Sequence, residues 1–222
     1  MVTTGGLPQS PDLPRLLADH LPQGAAETAD HERVRRLVAA AGEGAGAVGT
    51  GAAVRTGATG TTGEAPAAGL WDRSTPLHLT ASALIVHPPT RRVLLRWHVR
   101  QQAWLQIGGH GDPGETVPLD IALREGREET GLTDLAPWPD AALLHLVVVP
   151  VAASATEPAH QHADLRFLLA TAEPDRARPE NPASPLDWLT LAEARQRTSE
   201  ENLRETLDRA ARLLDAAPAP RA

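Results

Sequence analysis

The stretch GGHGDPGETVPLDIALREGREETGL, Gly108 to Leu132, restricts the fold of this chain more than any other. A glycine-rich turn leads into a helical pattern in which Leu119, Ala122, Leu123, Gly126 and Thr130 recur on one side. Thr116 is the expected N-cap, Pro118 suits the first turn, and Gly131 supplies the stop. Residues three and four apart share a helix face, so Glu125, Glu128 and Glu129 gather together, with Ile121 beside them. Like charges at that spacing cost roughly 0.2–0.5 kcal/mol per pair. Arg124, four residues before Glu128, can hold one of them in place. A helix that packs by one face and shows carboxylates on another calls for a cation. Mg²⁺ takes oxygen ligands, commonly a few carboxylates together with phosphates and water. A solvated acidic face is the bland alternative, and the glycine-rich loop, the arginine and the spacing weigh against it.

Composition narrows the partners. A net charge of −7 opposes a nucleic-acid-binding surface, but not a nucleotide, because a metal can bridge acidic side chains to phosphates. With no cysteine, disulfides, thiolate metal sites and thiol nucleophiles are excluded. No apolar run approaches the roughly 18 residues of a membrane span. The start, MVTTGGLPQSPDLP, lacks the basic and apolar regions of a secretory signal, so a cytoplasmic setting is expected. A homodimer is compatible with this composition.

The chain divides into three. Residues 1–41 carry two amphipathic segments, one with Leu13, Leu16 and Leu17, the other with Val34, Leu37 and Val38. Residues 42–69 are almost all Gly, Ala and Thr, too poor in bulky apolar surface to offset their ordering entropy, and are read as a flexible linker. Residues 70–216 hold the main domain. LTASALIV (79–86), RVLLRW (92–97) and AWLQIGG read as strands, and ALLHLVVVPV (142–151) as a central one. In HADLRFLL, Ala163, Leu165, Phe167 and Leu169 take one face, His162, Asp164 and Arg166 the other. PLDWLTLAEA is a last strand entering a helix. Thr198 and Glu201 form the expected capping box of a final helix striped by Leu203, Leu207 and Leu214. Strands and helices interleave without a regular βαβ rhythm, so the class is α+β.

The acidic segment resembles the Nudix box, G-x5-E-x7-R-E-U-x-E-E-x-G-U with U aliphatic, through Gly109, Glu115, Arg124, Glu125, Glu128, Glu129, Gly131 and Leu132. It departs twice: eight residues separate Glu115 from Arg124, and Gly126 replaces the aliphatic residue. The resemblance implies a Nudix-type α/β/α sandwich with a mixed sheet, behind a short helical N-terminal extension. It implies a hydrolase that cleaves the pyrophosphate linkage of a nucleoside diphosphate joined to another moiety. Glu125, Glu128, Glu129 and the Gly109 carbonyl would hold Mg²⁺ or Mn²⁺, and Arg124 would orient a glutamate. A ligand sensor that keeps the fold without catalysis is the competing class. Such sensors tend to lose the glutamates, which this chain retains.

Subgroup markers speak by absence. No tyrosine exists to match that of dinucleoside-polyphosphate hydrolases, and Pro150 lies three residues beyond the place of the ADP-ribose pyrophosphatase proline. The isopentenyl diphosphate isomerase cysteine is absent too. EPAHQHADLRF puts His160, His162 and Asp164 on one strand face, where they would serve as general base, phosphate donor or metal ligand if that face lines a cleft. Asp164, within the strand, is the leading candidate for the base, ahead of Glu157 in its Pro-flanked loop. His110 would approach phosphates from the glycine-rich loop, and Trp104 would stack on a base or belong to the core.

Overall fold

The structure, a computed structural model, describes residues 10–46, 69–154 and 157–217. Its elements run α1 (Leu13–Asp19), α2 (Gly24–Gly46), β1 (Leu77–His87), β2 (Arg92–His98), β3 (Ala103–Leu105), β4 (Ile107–Gly109), α3 (Pro118–Thr130), β5 (Ala136–Pro137), β6 (Leu143–Val151), β7 (His160–Ala170), β8 (Leu186–Thr190), α4 (Leu191–Arg197) and α5 (Glu201–Ala216).

The eight strands form one mixed sheet. At its middle β1 and β7 run parallel, in register from Leu77 opposite Gln161 to Val86 opposite Ala170. All other pairings are antiparallel. β2 pairs with β1 only over Arg92–Leu94, and its other end, Arg96–His98, pairs with β3. β4 takes the length of β1 that β2 leaves free, Ala81–Ala83. AWLQIGG is therefore two short strands, broken at Gln106, and the break opens the sheet between β2 and β1.

Strand alternation sorts the core into two layers. Leu79, Ala81, Ala83 and Ile85 join Ala163, Leu165, Phe167 and Leu169 under α1, α2 and α3. Leu84, Val86, Val93, Leu95 and Leu168 pack on the opposite face against α4 and α5, whose Ala194, Leu203, Leu207, Ala210 and Leu214 are buried. This is the α+β, α/β/α arrangement expected from the sequence. The second face changes character along its length. His78, Thr80 and Ser82 of β1 and His162, Asp164 and Arg166 of β7 continue it as a polar half that α5 leaves open beside the apolar one.

Several local expectations differ. Val117, not Thr116, is the N-cap of α3; it makes no side-chain cap, and Pro118 at N1 lacks the N–H that would need one. Gly131, at φ 68°, ends α3 as expected. Thr190 and Glu193 form a reciprocal capping box at α4. Thr198 is the C-cap of that helix, and α5 starts after Glu200 without a side-chain cap. β6 is not central, since it pairs only with β7.

The free edge of β6 is closed by α2. The N–H groups of Leu146 and Val148, two residues apart and turned away from β7, donate to Glu27 and Asp30, each at 2.9 Å. Glu27 is buried and also accepts from His20 and Arg209, joining α2 to α5. Leu13, Leu16, Leu17 and Val34 belong to the main core, so α1 and α2 are part of its packing. α2 continues through Gly46, beyond the boundary read at 41, and residues 47–68 of the linker reading lie outside the described residues. No helix among the described residues is long and apolar enough to cross a membrane.

Candidate active site

α3 packs against β1 and β4 and brings its acidic face to the opening between β2 and β4. Arg124 organises that face. Its guanidinium donates to Glu125 at 3.0 Å and to Glu128 at 2.8 Å, and grips Glu115 through Nε and Nη2. It also donates to the His110 carbonyl at 2.9 Å, which ties the glycine-rich loop to the helix. Glu115 closes the same loop by accepting the Asp112 N–H at 2.8 Å. The extra residue between Glu115 and Arg124 is thus absorbed without separating the pair.

The three clustered glutamates differ in setting. Glu128 is about half exposed, at 53% of its side chain. Glu125 is mostly buried, and its carboxylate lies over Gly109, where a Cβ would stand 2.7 Å away. Glu129 is buried, with Arg96 of β2 at 2.7 Å and the Gly108 N–H at 3.4 Å. Burial pushes the Glu129 carboxyl up to about 7, against the pull of Arg96. Burial also raises Glu125, opposed by Arg124.

Next to this face lies a cleft of about 300 Å³, floored by the polar half of the sheet. Thr80, Ser82, Arg96, Gln106, Gly108, Gly109, His110, His162, Asp164 and Arg166 line it, with Asn202 from α5. The three glutamates are not among its lining residues. Gly108, Gly109 and Arg96 connect them to it.

Asp164 sits on the cleft floor, completely enclosed by donors. Thr80 and Ser82 donate to one oxygen at 3.0 and 2.8 Å; Gln106 and Arg166 donate to the other at 3.2 and 2.8 Å. Burial alone would raise its pKa, but the charge of Arg166 and these bonds outweigh it and hold the carboxyl below its ordinary value. Arg166 is fixed in turn by the Asn202 carbonyl, the Asn202 side chain and Thr206. The Gln106 Oε1 is buried and has no hydrogen-bond partner, a spare acceptor in the cleft wall.

The other sequence candidates separate. His110 and His162 line the cleft, whereas His160 lies behind His162, ring against ring at 5.0 Å. Burial lowers His110 to about 3 and His162 to about 4, so both are neutral at pH 7. Glu157 is exposed and paired with Arg100 at 2.9 Å. Trp104 is outside the cleft lining. Its ring meets Trp97 edge-on, has Arg197 5.1 Å above its face, and packs half-buried against the core layer under α4 and α5. Arg96, Gln106, Thr80, Ser82 and Asn202 escaped the sequence reading. The alternation of His78, Thr80 and Ser82 through an otherwise apolar strand was the available signal.

The NUDIX domain family profile matches residues 76–210. The chain is a Nudix family member. Its Nudix box is Gly109–Leu132, with one residue more than usual between Glu115 and Arg124. A curated relative, the "Probable DHNTP pyrophosphohydrolase" of Lactococcus lactis subsp. cremoris, is 33% identical over 108 residues, which span 48% of this chain and 61% of that protein. A C. elegans Ap4A hydrolase in a binary complex shares the Nudix fold, with a TM-score of 0.51 at 19% identity over 63% of this chain and 98% of that one. The E. coli dihydroneopterin triphosphate pyrophosphohydrolase aligns with a TM-score of 0.47 at 18% identity, over 62% and 96% of the two chains.

Proposed function

We propose that this Nudix protein is a divalent-metal-dependent hydrolase that cleaves the pyrophosphate linkage of a nucleoside diphosphate joined to another moiety. The observation that carries the reading is the meeting of an all-oxygen donor set with a polar cleft that carries two arginines. Glu125, Glu128, Glu129 and the Gly109 carbonyl lie on one side, and Arg96 and Arg166 on the other. Such donors suit a hard cation, and Gly109, with no Cβ, leaves room for the Glu125 carboxylate. When bound, Mg²⁺ or Mn²⁺ would polarise the pyrophosphate and lower the pKa of a water. The pyrophosphohydrolase relative points to the same reaction class.

The residues divide the work. Arg124 holds the acidic face in shape and anchors the loop that approaches the phosphates. Arg96 and His110 face the cleft where phosphate oxygens would lie, and Arg96 can shift its pairing from Glu129 to substrate. Four donors on Asp164 favour an anchoring role, keeping Arg166, Ser82 and Gln106 in place, over the proton-accepting role read from the sequence. The base is better drawn from the box itself, with Glu125 or Glu128 next in line.

A panel of nucleoside triphosphates, dihydroneopterin triphosphate, nucleotide sugars and dinucleoside polyphosphates, assayed with and without Mg²⁺, tests the proposal. Metal-dependent hydrolysis of at least one member is expected, with Glu128→Gln and Glu129→Gln each reducing turnover at least a hundredfold. Tight binding of panel members with no hydrolysis at any metal concentration would make the chain a sensor instead.

A further inference from the structure

The parallel register of β1 and β7 sets His78 directly opposite His162, and His160 shares that strand face two residues earlier. His78 is fully buried, and its Nδ1 lies 3.0 Å from the Thr75 carbonyl. The His160 Nδ1 lies 2.9 Å from the Pro158 carbonyl. A carbonyl only accepts, so in both rings Nδ1 carries the proton and Nε2 presents a lone pair. Backbone carbonyls bonded to the outer ring nitrogen are the usual way a metal-ligating histidine is oriented. The Nε2 atoms of His160 and His162 are 3.1 Å apart, and one ligand nitrogen from each of the three rings lies within 4.8 Å of the others. Nitrogens about 2.0–2.1 Å from a tetrahedral Zn²⁺ stand about 3.3 Å from one another, so a small inward adjustment would seat the ion.

We propose that His78, His160 and His162 form a second metal site, distinct from the carboxylate set, that takes a borderline transition cation of the Zn²⁺ class through three imidazole nitrogens. Imidazole suits Zn²⁺, whereas Mg²⁺ prefers oxygen, so the two donor sets select different ions. Without the ion, the His160–His162 contact closes as an N–H···N bond with His162 donating, and the His78 Nε2 accepts from His110, so loading requires a change of tautomer in His162 and release of the His110 N–H from His78. The site lies where β1 and β7 begin, beside His110, whose Nε2 is 3.0 Å from that of His78. It therefore braces the wall of the cleft from behind.

Metal-stripped, tag-free protein titrated with Zn²⁺ by calorimetry, and with Co²⁺ by visible absorption, provides the test. One equivalent should bind tightly, apart from any weaker binding at the carboxylates, with the intense Co²⁺ bands of a tetrahedral nitrogen-rich site. His162→Ala and His160→Ala, both only partly buried and so safer for folding than a change at His78, should each weaken binding at least tenfold. The Glu128→Gln/Glu129→Gln double variant should keep that tight equivalent. Zn²⁺ binding that is absent, unchanged in both histidine variants, or lost in the glutamate variant would overturn the proposal. Those readouts stand whether or not the hydrolase reading holds.

Discussion

A methyl group at position 109 would stand 2.7 Å from the carboxyl of Glu125, while one at position 108 would stand 2.6 Å from the Ser82 Cα and 2.7 Å from the Ala81 carbonyl. The two neighbouring glycines are needed for different reasons. Backbone in β1 cannot move aside for a Cβ at 108, and Gly108 has a φ of +148° that other residues rarely adopt. Gly108→Ala should therefore destabilise the protein by about 1–3 kcal/mol, the usual cost of forcing atoms into a packed site, read as a lower midpoint in urea. At 109 the obstacle is the end of a flexible side chain, which can swing away. Gly109→Ala should keep nearly the full melting temperature and lose at least tenfold in metal-dependent turnover, because the carboxylate that moves is a proposed ligand. Equal losses of stability in both variants would contradict this division. Gln106→Leu removes the spare acceptor in the cleft wall and one donor to Asp164. It should raise KM more than it lowers kcat, measured on whichever panel substrate is turned over.

Among the elements, α2 and β6 depend on one buried carboxylate. Glu27 accepts from His20, Arg209 and the backbones of Gln23 and Leu146. Burial alone would raise its pKa, but those bonds outweigh it and hold the carboxyl far below the ordinary value of 4.5. The folded state thus prefers the ionised form more strongly than the unfolded chain does. The associated stability is complete above about pH 4.5 and is lost as the pH falls further. Glu27→Ala leaves Arg209 buried without its partner and should cost about 3–5 kcal/mol at pH 7. Its stability should also fall less steeply than that of the wild type between pH 4.5 and 2, as followed by chemical denaturation. The same helix explains a misread element. LLHLVVVPV looks central because both of its faces are covered, by α2 and by α5, and sequence composition reports coverage without saying what supplies it. Two T-x-x-E patterns, Thr190–Glu193 and Thr198–Glu201, are equivalent as strings, and only the end of α4 decides which is a cap. α3 was legible because its apolar period, Pro118 and Gly131 all agree.

For the whole molecule, the box and the sandwich could be read from the sequence, whereas the cleft could not. The cleft floor joins residues from β1, β2, β7 and α5 that are up to 122 positions apart, Thr80 and Asn202 at the extremes, and no local pattern links them. Asp164 was correctly assigned to the polar face. Its four donors depend on strand register and on the break at Gln106, so its enclosed state was invisible. His78 escaped for the same reason, since a parallel pairing sets it across from His162 at a distance of 84 residues.

The way α1 and α2 are held has a practical corollary. Their apolar residues complete the core and their acids occupy the outward N–H groups of β6, so residues 10–46 act as a ligand that happens to be encoded on the same chain. Covalent linkage then contributes only local concentration. Expressed as two separate polypeptides, residues 1–46 and 69–222 should recombine into one folded particle that co-elutes on gel filtration. The larger fragment alone, with a bare strand edge, should self-associate. Two fragments that stay soluble and apart would show that the helices are accessories to a sheet stable without them.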